Sequence, residues 1–238
     1  MADRSGIEWL ARPGTIPASW NPITGCTPCS EGCLHCYAKA MVRRFGTQWG
    51  LPADDPFRVT FHPDRLDRPL RWKKPRTIFV CSMADLWHRA VPKGWRRCVL
   101  SYAASARQHT YIFLTKRPLY ISADWSEMPN WWLGVTVENQ RRARQRVPRI
   151  SRSPAAVRFV SCEPLLGPID LTPWLGKLDW VIVGAETGPG KRPMDLDWAR
   201  SICEQCVAAG VPFFFKRDSQ GRDTLDGRQW RQWPEVTR

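Results

Sequence analysis

Thr77-Ile78-Phe79-Val80-Cys81, followed at once by Ser82-Met83-Ala84-Asp85, carries the clearest signal of the fold class. Its apolar run is continuous rather than alternating, which predicts a strand covered on both faces, as in a parallel sheet. The polar residues behind it mark the strand's carboxyl end. Five further runs repeat the pattern: Tyr111–Thr115, Trp132–Val137, Val157–Ser161, Trp180–Gly184 and Val211–Phe215. Helical character lies between them, over residues 93–108, 139–146 and 197–209, the last closing at Gly210. Ser19–Thr24 reads as the first strand, and residues 39–76 as its crossover helix with an irregular connection. Strand, helix and strand in steady succession predict an α/β fold with a parallel sheet.

Polar groups follow every one of these strands. Four cysteines follow the first, and Ser82 and Asp85 the second. Lys116 and Arg117 follow the third, and Glu138 and Asn139 the fourth. Glu163 follows the fifth, Glu186 the sixth, and Lys216 the seventh. The carboxyl ends of parallel strands are where barrels and open sheets place their chemistry. A single polar loop residue means little; the same arrangement at every strand end predicts a functional face.

The chain of 238 residues, 43% of them hydrophobic, can build one large core. It carries no run of about 18 apolar residues, and Met1–Trp9 lacks the basic-then-apolar order of an export signal. A cytoplasmic protein without a membrane span is expected. Nine cysteines then read as metal ligands or core thiols rather than disulfides. Lys and Arg number 36 against 22 acids, a net charge of +14 that favours polyanionic partners, nucleic acid first. Fourteen tryptophans offer stacking surfaces for bases, although core packing is their commoner use.

Cys26, Cys29, Cys33 and Cys36 crowd into one loop. Thiolates select soft centres, zinc or iron–sulfur. Structural zinc knuckles are normally separated by a dozen or more residues, whereas only Ser30, Glu31 and Gly32 lie between Cys29 and Cys33. A [4Fe–4S] cluster held by three cysteines, with one iron open, suits the spacing better. Cys33 and Cys36 supply two ligands, and Cys26 or Cys29 the third.

These residues resemble the radical S-adenosylmethionine superfamily. Cys29, Cys33 and Cys36 match its Cys-x3-Cys-x2-Cys spacing. The wider text resembles a phage-associated branch of it. The matching pieces are Trp20–Cys26, Gly32–Ala38, Leu114–Pro118, Cys162–Leu165, Gly184–Gly188 and Arg192–Met194. In that branch the first ligand corresponds to Cys26, with Cys29 as the alternate.

The resemblance implies a partial (β/α)6–7 TIM-like barrel over residues 1–238, with a basic and aromatic C-terminal extension from about 217. It also implies a [4Fe–4S] cluster and S-adenosylmethionine as cofactors, with reductive cleavage to a 5′-deoxyadenosyl radical. A flavodoxin or ferredoxin would be the electron donor. Ser82 and Asp85 stand where the methionine amino group is bound, and Lys116 or Arg117 would pair its carboxylate. Thr136, Glu138 and Asn139 are placed for the ribose, and Glu163, Glu186, Arg192 and Lys216 for adenine or substrate. Glu186 and two strand-ending thiols, Cys81 and Cys162, are the catalytic candidates, a thiol being a competent hydrogen-atom donor; small buried core residues are the ordinary use of such cysteines. His35 precedes the last ligand and could lie near adenine.

The basic run Arg141–Arg146, with Arg149 and Arg152, the stretch Arg68–Arg76 around Trp72, and Arg228–Trp233 suit a phosphate backbone or unpaired bases. A radical enzyme that repairs or modifies a base in nucleic acid, DNA before RNA, is the leading expectation. Spore photoproduct lyase is its precedent by analogy. The alternatives are a radical enzyme with a small-molecule or peptide substrate, and a non-enzymatic zinc protein that binds nucleic acid.

Overall fold

The computed structural model describes residues 4–121, 125 and 128–235. The fold is α/β. Seven strands form a sheet in the order β1-β4-β5-β6-β7-β8-β9. They are β1 (Ile16–Trp20), β4 (Arg76–Val80), β5 (Thr110–Thr115), β6 (Trp131–Thr136), β7 (Val157–Cys162), β8 (Trp180–Val183) and β9 (Phe213–Phe215). Each new strand is added in chain order with no reversal, which is the winding of a (β/α) barrel rather than of a doubly wound sheet. A two-stranded ribbon, β2 (Ile23–Thr24) with β3 (Thr60–Phe61), stands apart. The chain divides into two compact units, Met1–Ser122 and Ala123–Arg238.

In the first unit β1, β4 and β5 pair in parallel, with Trp20 opposite Val80 and Phe79 opposite Ile112. Helices α1 (Tyr37–Phe45), α2 (Arg68–Arg71) and α3 (Lys93–Ser105) complete it. Trp20 meets the edge of Tyr111 at 6.2 Å, and His109 bridges Tyr111 to Trp72. The expected first strand, Ser19–Thr24, is corrected by the structure. It is cut at Asn21-Pro22, and only Ser19 and Trp20 belong to the parallel sheet. Pro22 has no N–H to give to a ladder. Beyond it the chain pairs antiparallel, Ile23 opposite Phe61.

In the second unit β6 to β9 are all parallel, and β6 and β8 are buried on both faces. Trp180 centres this core, 5.8 Å from Trp132 and 5.6 Å from Phe159. Eight of the fourteen tryptophans are buried: Trp9, Trp20, Trp72, Trp87, Trp125, Trp131, Trp132 and Trp180. Indole is used here first as core. The segment after β9 covers that strand's edge. Phe215 N–H donates to the Trp230 carbonyl and Gln232 N–H to Phe213, satisfying backbone groups an edge strand would expose. Trp230 and Trp233 lie against Phe213 and Phe214. The last three residues of the expected extension fall outside the described residues.

The helices of this unit are α4 (Gln140–Ile150), α5 (Thr172–Leu175) and α6 (Leu196–Ala209). Asn139 caps α4, its Oδ1 accepting from Arg142 N at 3.1 Å. The helix runs past the expected residue 146 because Val147 and Ile150 extend the buried stripe begun by Ala143. Arg146 lies in that stripe too. Its Nη1 reaches Glu138 Oε2 at 2.8 Å and the Thr136 carbonyl at 2.7 Å, with both side chains almost wholly buried. Arg146 is therefore subtracted from the cationic surface, while Arg141, Arg144, Arg149 and Arg152 stay exposed. Among the described residues, no helix is long and apolar enough to cross a membrane.

Breaking this pair leaves a charge stranded in the core, which costs far more than losing an exposed pair. Glu138→Gln is expected to lower the unfolding free energy by ~3–5 kcal/mol in urea titrations. Arg141→Gln is expected to change it by no more than ~0.5 kcal/mol. Equal effects would show that the pair does not hold α4.

Candidate functional site

The cysteine loop begins at a position only glycine can fill. Gly25 has φ +87°, and a Cβ there would lie 2.0 Å from the Arg58 carbonyl oxygen. Its N–H donates to the Met83 carbonyl at 2.9 Å, and Cys26 N–H to Phe57. The loop is thereby held against the segment that follows β4. Tyr37, at its far end, donates its hydroxyl to the Ser82 carbonyl.

Ser82 and Asp85 face different tasks. Ser82 Oγ exchanges hydrogen bonds with the amide of Asn21, whose Oδ1 also accepts from Met83 N at 3.0 Å. The Asp85 carboxylate is buried. It accepts from Thr115 Oγ1 at 2.8 and 2.9 Å, from Lys116 N at 3.1 Å and from Trp87 N at 3.0 Å. It thus ties the loop after β4 to the end of β5. Arg117 turns to the cysteine loop, donating to the Thr27 carbonyl at 2.7 Å. His88 completes this tie: its Nδ1 accepts from Ala90 N, so Nε2 carries the proton given to Thr27 Oγ1 at 2.8 Å.

Within the loop the thiols are unequal. Cys33 is pulled down to about 4, first by a hydrogen bond from the Cys29 thiol, then by the Cys29 and Ser30 amides and the Lys116 charge, against the opposing effect of burial. Cys26 is pushed up to about 11, by burial and then by Asp85, with Arg117 opposing. All nine cysteines are free thiols, and the four of the loop are half-buried.

Among the described residues, no three His, Cys, Asp or Glu side chains are gathered into a metal-holding constellation. The donor set nevertheless fits a soft metal centre. The Cys29 thiol hydrogen-bonds Cys33, Cys26 lies within its field, and the Cys29 and Ser30 N–H groups favour the Cys33 thiolate, the form that binds a soft metal. Cys36 ends the loop just before α1, where its carbonyl accepts from Ala40 N. His35 is half-buried.

In the second unit every strand-ending glutamate holds a cation. Glu138 is paired with Arg146, and Asn139 is the cap of α4. Thr136 is buried, its carbonyl taken by Arg146. Glu163 meets Lys216 Nζ at 3.0 Å and accepts from Ser161 Oγ. Gly184 makes room for it, since a Cβ there would lie 2.8 Å from Glu163 Oε1. Glu186 accepts from both the backbone N and the guanidinium of Arg192, closing the turn between them. Glu163 and Lys216 are both part-exposed, as is Arg192, whereas Glu138 and Arg146 are closed off.

Cys81 and Cys162 are fully buried thiols. Burial pushes Cys81 up to about 12 and Cys162 well above the ordinary range. Cys81 also has φ 57°, a left-handed turn that carries the chain out of β4 into the Ser82 loop. The sequence assigns no individual role to Asn21, Thr27, His88 or Thr115. The Asn-Pro break after β1 was the one available signal, since a proline there ends a strand.

A family model described as "Protein of unknown function (DUF5131)" matches residues 4–234. No curated protein matches in sequence. Among solved structures, "Spore photoproduct lyase complexed with dinucleoside spore photoproduct" is similar, at 11% identity and a TM-score of 0.41. The match covers 82% of this chain and 62% of that one, so this chain spans less than two thirds of that protein's length.

The two thiol environments predict selective chemistry. A folded-state value near 4 leaves Cys33 a thiolate at pH 6, where Cys26, Cys81 and Cys162 stay protonated. Brief iodoacetamide treatment of the metal-free chain at pH 6, read by peptide mass spectrometry, should label Cys33 first. Lowering the pH below 4 should abolish that labelling. Equal labelling of the four loop cysteines would refute the assignment.

Proposed function

The chain belongs to the DUF5131 family, and from that premise we propose that it is a radical S-adenosylmethionine enzyme acting on nucleic acid, DNA before RNA. The observation that carries the reading is the Cys33 sulfur, ringed by hydrogen bonds and set beside Lys116 on a loop tied to the ends of β4 and β5. Cys33, Cys36 and either Cys26 or Cys29 would hold a [4Fe–4S] cluster. When bound, that cluster supplies the electron for cleaving the sulfonium of S-adenosylmethionine.

The protein's part is to hold, orient and exclude water. Arg117 and His88 fix Thr27 and with it the loop. Asp85 and Asn21 hold the turn after β4 in place. Lys116 favours anionic sulfur at Cys33 and offers a cation to a carboxylate. The Glu163–Lys216 pair is suited to a polar group of cofactor or substrate. A thiol whose proton is held as tightly as at Cys81 or Cys162 is suited to hydrogen-atom rather than proton chemistry. A soluble one-electron carrier is the expected partner.

For substrate, the support is the net charge of +14 together with the exposed Arg141, Arg144, Arg149 and Arg152 on and just after α4. Arg68 and Arg76 lie over the ring of buried Trp72, so this stretch offers guanidinium rather than indole to a strand. Reaching a base inside a duplex would require extruding it.

Anaerobic reconstitution tests the chemistry. About four iron and four sulfide per chain are expected, with 5′-deoxyadenosine formed on reduction with S-adenosylmethionine. Cys33→Ala and Cys36→Ala should lose the cluster, and Cys26→Ala set beside Cys29→Ala identifies the third ligand. Colourless protein holding one zinc would sink the reading. Substrate class is read separately. Affinity for DNA that falls steeply with salt, and less steeply in an Arg141/Arg144 double Gln variant, is expected; weak, salt-independent binding would remove nucleic acid as substrate.

A further inference from the structure

A cavity lies in the first unit, behind the turn after β4 against which the cysteine loop is held. Val42, Trp49 and Leu51 give it a largely apolar wall, into which Arg4, Arg65 and Ser5 bring charge and a hydroxyl, and its volume is about 230 Å³. That is below the roughly 300–1,000 Å³ of sites for whole drug-sized ligands, so it suits one charged group. The N-terminal segment is docked to build it. Ser5 N–H donates to the Pro17 carbonyl at 3.0 Å, and Ser19 Oγ to Ser5 Oγ at 3.0 Å, which carries Arg4 to the rim.

We propose that this cavity binds a phosphate group, through the Arg65 and Arg4 guanidinia and the Ser5 hydroxyl, which Ser19 holds in place by donating to it. Arg65 is half-buried, and its guanidinium makes one hydrogen bond among the described residues, a long one of 3.4 Å to the Asn21 carbonyl. No carboxylate is within ion-pair distance of it among the described residues, and Asp64 acts on it only through space. Burial and the neighbouring Arg68 both make its charge less favourable. A bound oxyanion offsets both costs, and the guanidinium fork matches two phosphate oxygens. Ser5 Oγ already accepts from Ile7 N and Ser19 Oγ, which leaves its own O–H to donate to a guest. Two cations and a hydroxyl donor at one small, largely apolar cavity favour a phosphate over a neutral ligand. The group can come from a free or terminal phosphomonoester or from a backbone phosphodiester. The proposal does not rest on the reading of the cysteine loop.

Calorimetric titration of the full chain tests it, with three probes: inorganic phosphate, a nucleoside 5′-monophosphate, and a dinucleoside monophosphate whose only phosphate is a diester. Saturable binding of at least one is expected. Arg65→Gln should weaken it about tenfold or more. Arg65→Lys, which keeps the charge and loses the fork, should fall between, and Ser19→Ala should weaken it without touching a charge. Lys177→Gln, on exposed surface of the second unit, should leave it unchanged. Preference for the first two probes assigns the source to monoesters, and preference for the third to a strand. No saturable binding by any probe, or equal losses in Arg65→Gln and Lys177→Gln, would overturn the proposal.

Discussion

Where a parallel strand ends, the backbone leaves its ladder and its N–H and C=O groups must find other partners. That constraint shapes this protein more than any other. Three buried side chains meet it: Asn21 takes the Met83 amide, Asp85 takes those of Trp87 and Lys116, and Glu138 fixes the Arg146 that binds the Thr136 carbonyl. Each acts just beyond a strand, and each holds a loop that carries candidate chemistry. Polar residues that read as ligand contacts are thus in good part the fastenings of the face on which ligands would be bound.

The cysteine loop depends on those fastenings. Its start is pinned through Gly25 to Met83, and its middle through Thr27 to Arg117 and His88. Within that frame the thiols separate by environment alone. Cys33 receives the Cys29 thiol's hydrogen bond, then amide donors and the charge of Lys116, and is pulled to about 4, whereas Cys26, more deeply desolvated and set near the Asp85 charge, is pushed to about 11. Identical side chains a few residues apart differ because hydrogen bonds to a thiolate favour it and burial opposes it.

The sheet was highly legible in the sequence. Near-continuous apolar runs such as Trp180–Gly184, and Val157–Ser161 with only Arg158 interrupting it, favour a doubly buried strand over an amphipathic one. Their observed spans differ by a residue or so, Val157–Cys162 and Trp180–Val183. Ser19–Thr24 has the composition of one strand, yet Pro22, with no N–H for a ladder, divides it between two sheets. The basic run Arg141–Arg146 reads as a single cationic face, yet helical periodicity turns Arg146 inward to meet Glu138. Charge counted along a chain does not say which charges face water.

The α/β class, the parallel strands and the gathering of polar residues at their carboxyl ends follow from local patterns, hydrophobic period and turn chemistry, which need no partner distant in the chain. Which polar residues hold the protein together, and which stay open to a ligand, is settled by contacts between residues far apart in sequence. Asp85 to Thr115, Glu163 to Lys216, and Ser5 to Ser19 are contacts across loops and strands. A carboxylate's role depends on which donors the fold brings within about 3 Å of it, and that is a property of packing, not of spacing along the chain.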